Sequence, residues 1–196
     1  MFNSDAYQDR FVYTILKRKQ YGYFVDIGSC WATNSNNTYC FENMGWRGIC
    51  VEINKTYSDG YKNRKCKFIN DDATKVNYDV VFSSDNAPKM IDYLSLDVDE
   101  RSTDVLKLLP HQNYQYSVIT IEHDFYIYGD VYLKQQREIL SSLGYHLLAS
   151  KVKVPRNTNG RKEANTGFED WWTHSSLEKN HLFFDQQYPE DILSSI

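Results

Sequence analysis

The feature that most constrains this chain is a set of short apolar runs that each give way to a carboxylate. Asp26, Glu52, Asp97 and Glu122 follow directly on Tyr23-Phe24-Val25, Gly48–Val51, Ile91–Leu96 and Ser117–Ile121. Runs of this length, rich in β-branched residues and bounded by turn formers, read as buried strands. Between them lie helical patterns: residues 35–44 closed by Gly45, Thr103–Leu109 stopped by Pro110, and 131–143 closed by Gly144. An amphipathic helix is expected over residues 5–20. Lys67-Phe68-Ile69 and Val80-Val81-Phe82 are weaker strand candidates, and Tyr145–Lys153 returns as a strand. Strands alternating with helices imply an α/β fold with a mostly parallel sheet and right-handed crossovers.

Ligands of such a sheet bind outside the carboxyl ends of its strands, where these four acids would gather. Asp26-Ile27-Gly28-Ser29 lets the backbone turn closely past a ligand. Glu52, closing the next strand, is placed to accept hydrogen bonds from both hydroxyls of a ribose. The full G-x-G-x-x-G fingerprint is missing, so no pyrophosphate cradle is built, which counts against a Rossmann-type oxidoreductase or nucleotide-sugar enzyme. S-adenosylmethionine carries a ribose and a sulfonium cation but no phosphate, and an acidic turn suits it. The competing reading is a structural βαβ unit whose Asp26 caps a turn.

The 196 residues favour a single domain, 1–196. The net charge of −4 argues against a protein that holds nucleic acid by neutralising phosphates. No apolar run would span a bilayer, and the N-terminus lacks the pattern of a signal peptide. Cys30, Cys40, Cys50 and Cys66 fit no zinc spacing, so free thiols in a reducing, cytoplasmic compartment are expected.

Phe24–Gly28, Asn36-Asn37-Thr38 and Gly45–Glu52 together resemble the FkbM family of methyltransferases. Asp92–Asp99, Ile119–Asp124, Leu143-Gly144-Tyr145 and Glu169–Trp172 extend the resemblance over most of the chain. The chain departs from the family where Asp99, Glu100 and Ser102 replace its usual glutamate, glycine and later acid. The resemblance implies a Rossmann-like class I methyltransferase fold, with a mostly parallel seven-stranded sheet flanked by helices. It implies methyl transfer from S-adenosylmethionine to a hydroxyl, often of a sugar or other secondary metabolite. Carried over by position, Asp26, Gly28 and Ser29 would border the methionine part of the cofactor and Glu52 the ribose, with Asn37 a further cofactor-binding candidate. Asp72, or alternatively Asp71, would meet the adenine amine.

An alcohol needs a base or a metal to become nucleophilic. Asp97, Asp99, Glu122, His123 and Asp124 offer both. Asp97 and Glu122 could hold Mg²⁺ or Mn²⁺ while His123 or Asp99 takes the proton; without metal, His123 or Asp97 is the base. A cap or core role for His123 is equally compatible with the sequence. Trp171, Trp172 and Asp170 are candidates for binding a sugar, with one tryptophan expected in the core. The polar stretch 157–167 is the candidate mobile acceptor loop. A catalytically inactive module that binds a glycan or protein is the alternative from a different class, as is a methyltransferase for a non-sugar small molecule. The domain would also suit a larger glycan-building protein.

Overall fold

The computed structural model describes residues 2–156, 166–177 and 182–196. In chain order the elements are α1 (Gln8–Ile15), β1 (Tyr23–Ile27), α2 (Tyr39–Glu42), β2 (Arg47–Val51), α3 (Ser58–Tyr61) and β3 (Lys67–Ile69). They continue with α4 (Tyr78–Ser84), β4 (Met90–Leu96), α5 (Ser102–Leu108), β5 (Gln115–Glu122), α6 (Phe125–Tyr128) and α7 (Asp130–Ser142). The last are β6 (Tyr145–Val152), β7 (Glu169–His174), β8 (Phe184–Asp185) and α8 (Pro189–Ser195).

The strands form one sheet in the order β3-β2-β1-β4-β5-β7-β6-β8. β7 alone runs antiparallel to its neighbours; the other pairings among these strands are parallel. The strand order reverses between β1 and β4, which opens a crevice at their carboxyl ends. The sheet has eight strands, where seven were expected. The eighth is the two-residue β8, which adds to the outer edge of β6.

Both faces of the sheet are covered, which explains why its strands read as continuous apolar runs. On one face Val25, Ile27, Val51, Leu94, Leu96, Ile119 and Trp172 pack with Phe82, Leu106 and Leu140 from α4, α5 and α7. On the other, Phe24, Cys50, Tyr93, Val118 and Trp171 pack with Phe11, Phe41 and Ile192 from α1, α2 and α8. Helix α7 shows the rule plainly: Leu133, Gln136 and Leu140 are buried at three- and four-residue spacing.

Several elements differ from expectation. Val80-Val81-Phe82 lies in α4, not in a strand. Asn77 caps that helix by accepting from the Val80 N–H, and Tyr78 and Phe82 turn inward one turn apart while Val80 stays exposed. The first helix is shorter than 5–20, and only Tyr39–Glu42 of residues 35–44 is helical. There the side chain of Asn36 accepts from the N–H groups of Thr38 and Tyr39 and delays the helix. The expected acceptor loop 157–167 lies, apart from Thr166 and Gly167, outside the described residues.

Candidate functional site

A cavity of about 410 Å³ opens at the reversal in strand order. Gly28 and Cys30 after β1, Glu52 to Asn54 after β2, Asp71 to Thr74 after β3 and Asp97 to Arg101 after β4 form its walls. The turn at Gly28 is obligatory. Its φ is +81°, and a Cβ there would sit 1.6 Å from the carbonyl oxygen of Asp97. The Asp97 N–H donates to the Ile27 carbonyl, and the Gly28 N–H to that of Val51, so three strand ends are tied together here.

Glu52 is buried in the cavity wall beyond β2. One of its carboxylate oxygens accepts from the Cys30 N–H at 2.9 Å and the other from the Asn54 N–H at 2.7 Å. Beside it Ile53 is 64% exposed, an apolar face on the cavity wall. Asp71 and Asp72 line the far end. Asp72 accepts from the Thr74 N–H at 2.9 Å and from its hydroxyl at 2.7 Å, and these bonds hold its carboxyl below the usual range.

Asp26, Ser29 and Asn37 lie outside the lining of this cavity, because a polar network draws them inward. Asp26 is 2% exposed and accepts from the Thr38 hydroxyl at 2.8 Å. Burial pushes its pKa up to about 6. Ser29 is buried against the Tyr61 hydroxyl, which donates to its Oγ at 2.7 Å. The Asn37 amide donates to the Ser95 Oγ at 3.0 Å. Beneath them the buried Arg64 pairs with Glu42 at 2.8 Å and donates to the Ala32 carbonyl, to Asn36 Oδ1 at 3.2 Å and to Thr38 Oγ1 at 3.2 Å. These residues shape the segment 29–38 and do not form the cavity wall. Sequence reasoning missed Arg64 because nothing in its flanking residues marks it as buried.

Asp97 and Glu122 are brought together as expected. The register Leu96↔Ile121 places them side by side at the ends of β4 and β5. Burial raises both pKa values, and their side chains hydrogen-bond to each other. Two carboxyls bond only through a proton; after burial, the neighbouring charge of Asp97 keeps that proton on Glu122. Asp97 lines the cavity and is exposed there, while Glu122 beside it is half-buried and lies outside the lining. Asp99, on the rim, is raised by burial and then by Asp124 and Glu100.

The structure corrects four residues. His123 is 1% exposed; its Nδ1 accepts from the Phe125 N–H at 3.2 Å and its Nε2 faces Asp170 Oδ1 at 3.4 Å. It turns away from the cavity, which leaves it the core role. Asp170 is fully buried in a bidentate pair with Arg137, at 2.7 and 3.0 Å, and accepts from the Lys151 N–H at 2.8 Å. Trp171 stacks on Phe11 with ring centroids 4.3 Å apart, while Trp172 is 1% exposed in the opposite face of the sheet. Adjacent strand residues point to opposite faces, so two covered faces bury both rings. Neither ring is open to a sugar.

Among the described residues no group of three or more His, Cys, Asp or Glu side chains is arranged to hold a metal. Among them, too, no helix is long and apolar enough to cross a membrane. All four cysteines are free.

No family model and no curated protein sequence matches the chain. Solved structures do. A provisionally named O-methyltransferase from Klebsiella pneumoniae superposes with a TM-score of 0.57 at 12% identity, covering 87% of this chain and 81% of that one. Precorrin-6y C5,15-methyltransferase from Geobacter metallireducens gives 0.56 at 14% identity, covering 85% and 87%. A glycopeptide N-methyltransferase solved with S-adenosylmethionine gives 0.50 at 10% identity, covering 89% and 96%. The fold is therefore the Rossmann-like methyltransferase fold. The likeness does not single out the FkbM family.

Proposed function

We propose that this chain is an S-adenosylmethionine-dependent O-methyltransferase acting on a hydroxyl of a small molecule, sugars included. The observation that carries the reading is the cavity at the β1–β4 reversal, which joins a glycine turn, the buried carboxylate of Glu52 and an acidic floor. The donor set fits the cofactor. Glu52 keeps lone pairs free for two ribose hydroxyls, Ile53 offers an apolar face to adenine, and Asp71 or Asp72 can accept from its amine. Bound there, S-adenosylmethionine supplies an electrophilic methyl group on a sulfonium.

The chain's own residues do the rest. Asp97 and the acids around it oppose the sulfonium charge. Asp97 is the base: a carboxylate with a raised pKa at the cavity floor is matched to removing a hydroxyl proton. Glu122 steadies Asp97 by sharing its proton. The reading assigns no cation to the Asp97–Glu122 pair: among the described residues no third His, Cys, Asp or Glu joins the two in a group arranged to hold a metal.

The FkbM resemblance and the name of the Klebsiella neighbour support oxygen as the acceptor atom. With both tryptophans in the core, a sugar acceptor rests on the resemblance. Calorimetric titration with S-adenosylhomocysteine, followed by transfer of labelled methyl to a panel of hydroxyl compounds with and without EDTA, tests the reading. Binding and EDTA-resistant turnover are expected. Absence of binding would overturn the cofactor assignment, and loss of turnover in EDTA would restore the metal.

A further inference from the structure

The stripe that α7 turns to the core carries one polar residue at its centre. Leu133, Gln136 and Leu140 are buried at helical spacing, and Gln136 is 1% exposed. An apolar side chain would fill this place without the cost of burying an amide. The amide nitrogen donates twice, to the Glu122 carbonyl at 3.0 Å and to Thr103 Oγ1 at 3.2 Å. Its Oε1 has no partner among the described residues. A buried acceptor left unpaired lowers stability, so what the two donors hold must offset it.

What they hold is the proposed base and its partner. The β4–β5 ladder ends at Leu96↔Ile121, one residue short of Asp97 and Glu122. Past that step side chains help to hold the pair. Gln136 ties the Glu122 peptide to Thr103 on α5. Beside Thr103, Ser102 Oγ accepts from the N–H of Val98, the residue after Asp97, at 3.0 Å. Ser102 and Thr103 are both buried. One polar chain thus runs from the end of β4 through the first turn of α5 to α7, and back to the end of β5.

We propose that Gln136 is a positioning residue, which keeps Glu122 within hydrogen-bonding reach of Asp97. Gln136 and Thr103 lie outside the cavity lining, so they act on the reaction only through the pair. The inference rests on Asp97 as the base of the methyltransferase reading.

The test compares the full chain with Gln136→Met, Glu122→Leu and the double variant. Methionine keeps the length of the side chain and removes both donors. The readout is the pH titration of Asp97 without ligand, followed by the carbon NMR signal of its labelled carboxyl and assigned through Asp97→Asn. In Gln136→Met, Glu122 drifts from Asp97, which loses a hydrogen bond that lowers its pKa. The Asp97 titration should move to higher pH, as in Glu122→Leu. The double variant should move no further than Glu122→Leu alone, because Gln136 acts through Glu122. Asp26, Asp99, Asp124 and Glu169 also share charge effects with Asp97, and none of them hydrogen-bonds to Gln136 among the described residues. Thr103→Val removes the α5 anchor of the amide and should give a smaller shift in the same direction. Should Gln136→Met fold poorly, Thr103→Val decides alone. A titration unmoved in both single variants of the chain Gln136–Thr103, or shifts that add in the double variant, would overturn the proposal. Failure of S-adenosylhomocysteine to bind the parent chain would instead overturn the cofactor reading, and the Asp97 titration needs no cofactor.

Discussion

Asp97 and Glu122, at the adjoining ends of β4 and β5, meet in a hydrogen bond that only a shared proton can make. In the proposed reaction the pair lies where the acceptor hydroxyl and the methyl donor approach each other. Glu122 holds the proton, so Asp97 is left as the ionised partner, with a pKa above the ordinary carboxylate range.

Asp97→Asn should therefore lower kcat by about 10²–10⁴, the usual contribution of a positioned base. Binding of S-adenosylhomocysteine should change much less. Glu122→Leu removes the proton donor that lowers the Asp97 pKa, so the acid limb of the rate profile should move to higher pH. An unmoved limb would separate Glu122 from the base.

Glu52→Ala should weaken S-adenosylhomocysteine by about tenfold or more, since each hydrogen bond to a charged group is worth about 1.5–3 kcal/mol. The loss should exceed that of Asp71→Ala, because Glu52 also pins the Cys30 and Asn54 N–H groups at the cavity wall. Calorimetry on both variants ranks them; equal losses would remove Glu52 from the ribose.

How much of this was legible in the sequence follows from the physics of each residue. Gly28, Glu52, Asp97 and Glu122 could be found because strand ends are written as apolar runs that stop, and the sheet topology then fixes what gathers there. Asp26 misled because it also sits beside apolar residues, but inside β1, where Thr38 from a later segment claims it. His123 and Asp170 misled for the same reason. Their partners, each other and Arg137, come from the loop after β5, from β7 and from α7, and no local pattern records such a meeting. Val80–Phe82 shows the limit of short runs: three apolar residues fit a strand or a helix until Asn77 caps one of them.

Trp172 supplies a check on the tryptophan correction. Trp172→Ala should cost about 3–5 kcal/mol of stability, the range for emptying a large core site. Trp172→Phe should cost far less, since it keeps a buried ring and discards an indole N–H that has no partner. The KM for any acceptor found should be unchanged in the phenylalanine variant. A raised KM at unchanged stability would return this ring to the acceptor site.

Glu169 makes the stability of the fold fall with pH. It is 3% exposed, accepts from Trp171 Nε1 at 2.8 Å, and burial raises its pKa from 4.5 to about 8. The folded chain thus keeps a proton that the unfolded chain gives up at lower pH. Between the two values the unfolded state binds fewer protons, so stability is fully present below the unfolded pKa and is lost as pH rises through the folded one. The gap between the two pKa values corresponds to a loss on the order of a few kcal/mol. Asp26, raised to about 6, and the Asp97–Glu122 pair act in the same direction. Asp170 acts in the opposite one: its pKa is held down by His123 and Arg137 against its burial, so its contribution disappears in acid. Glu169→Gln preserves the acceptor for Trp171 and cannot ionise. Denaturant melts from pH 4 to 9 should show the variant gaining on the parent chain as pH rises, with the gap closing at pH 4. The other groups titrate alike in both chains, so the difference isolates Glu169, and a gap that stays constant across the range would refute its raised pKa.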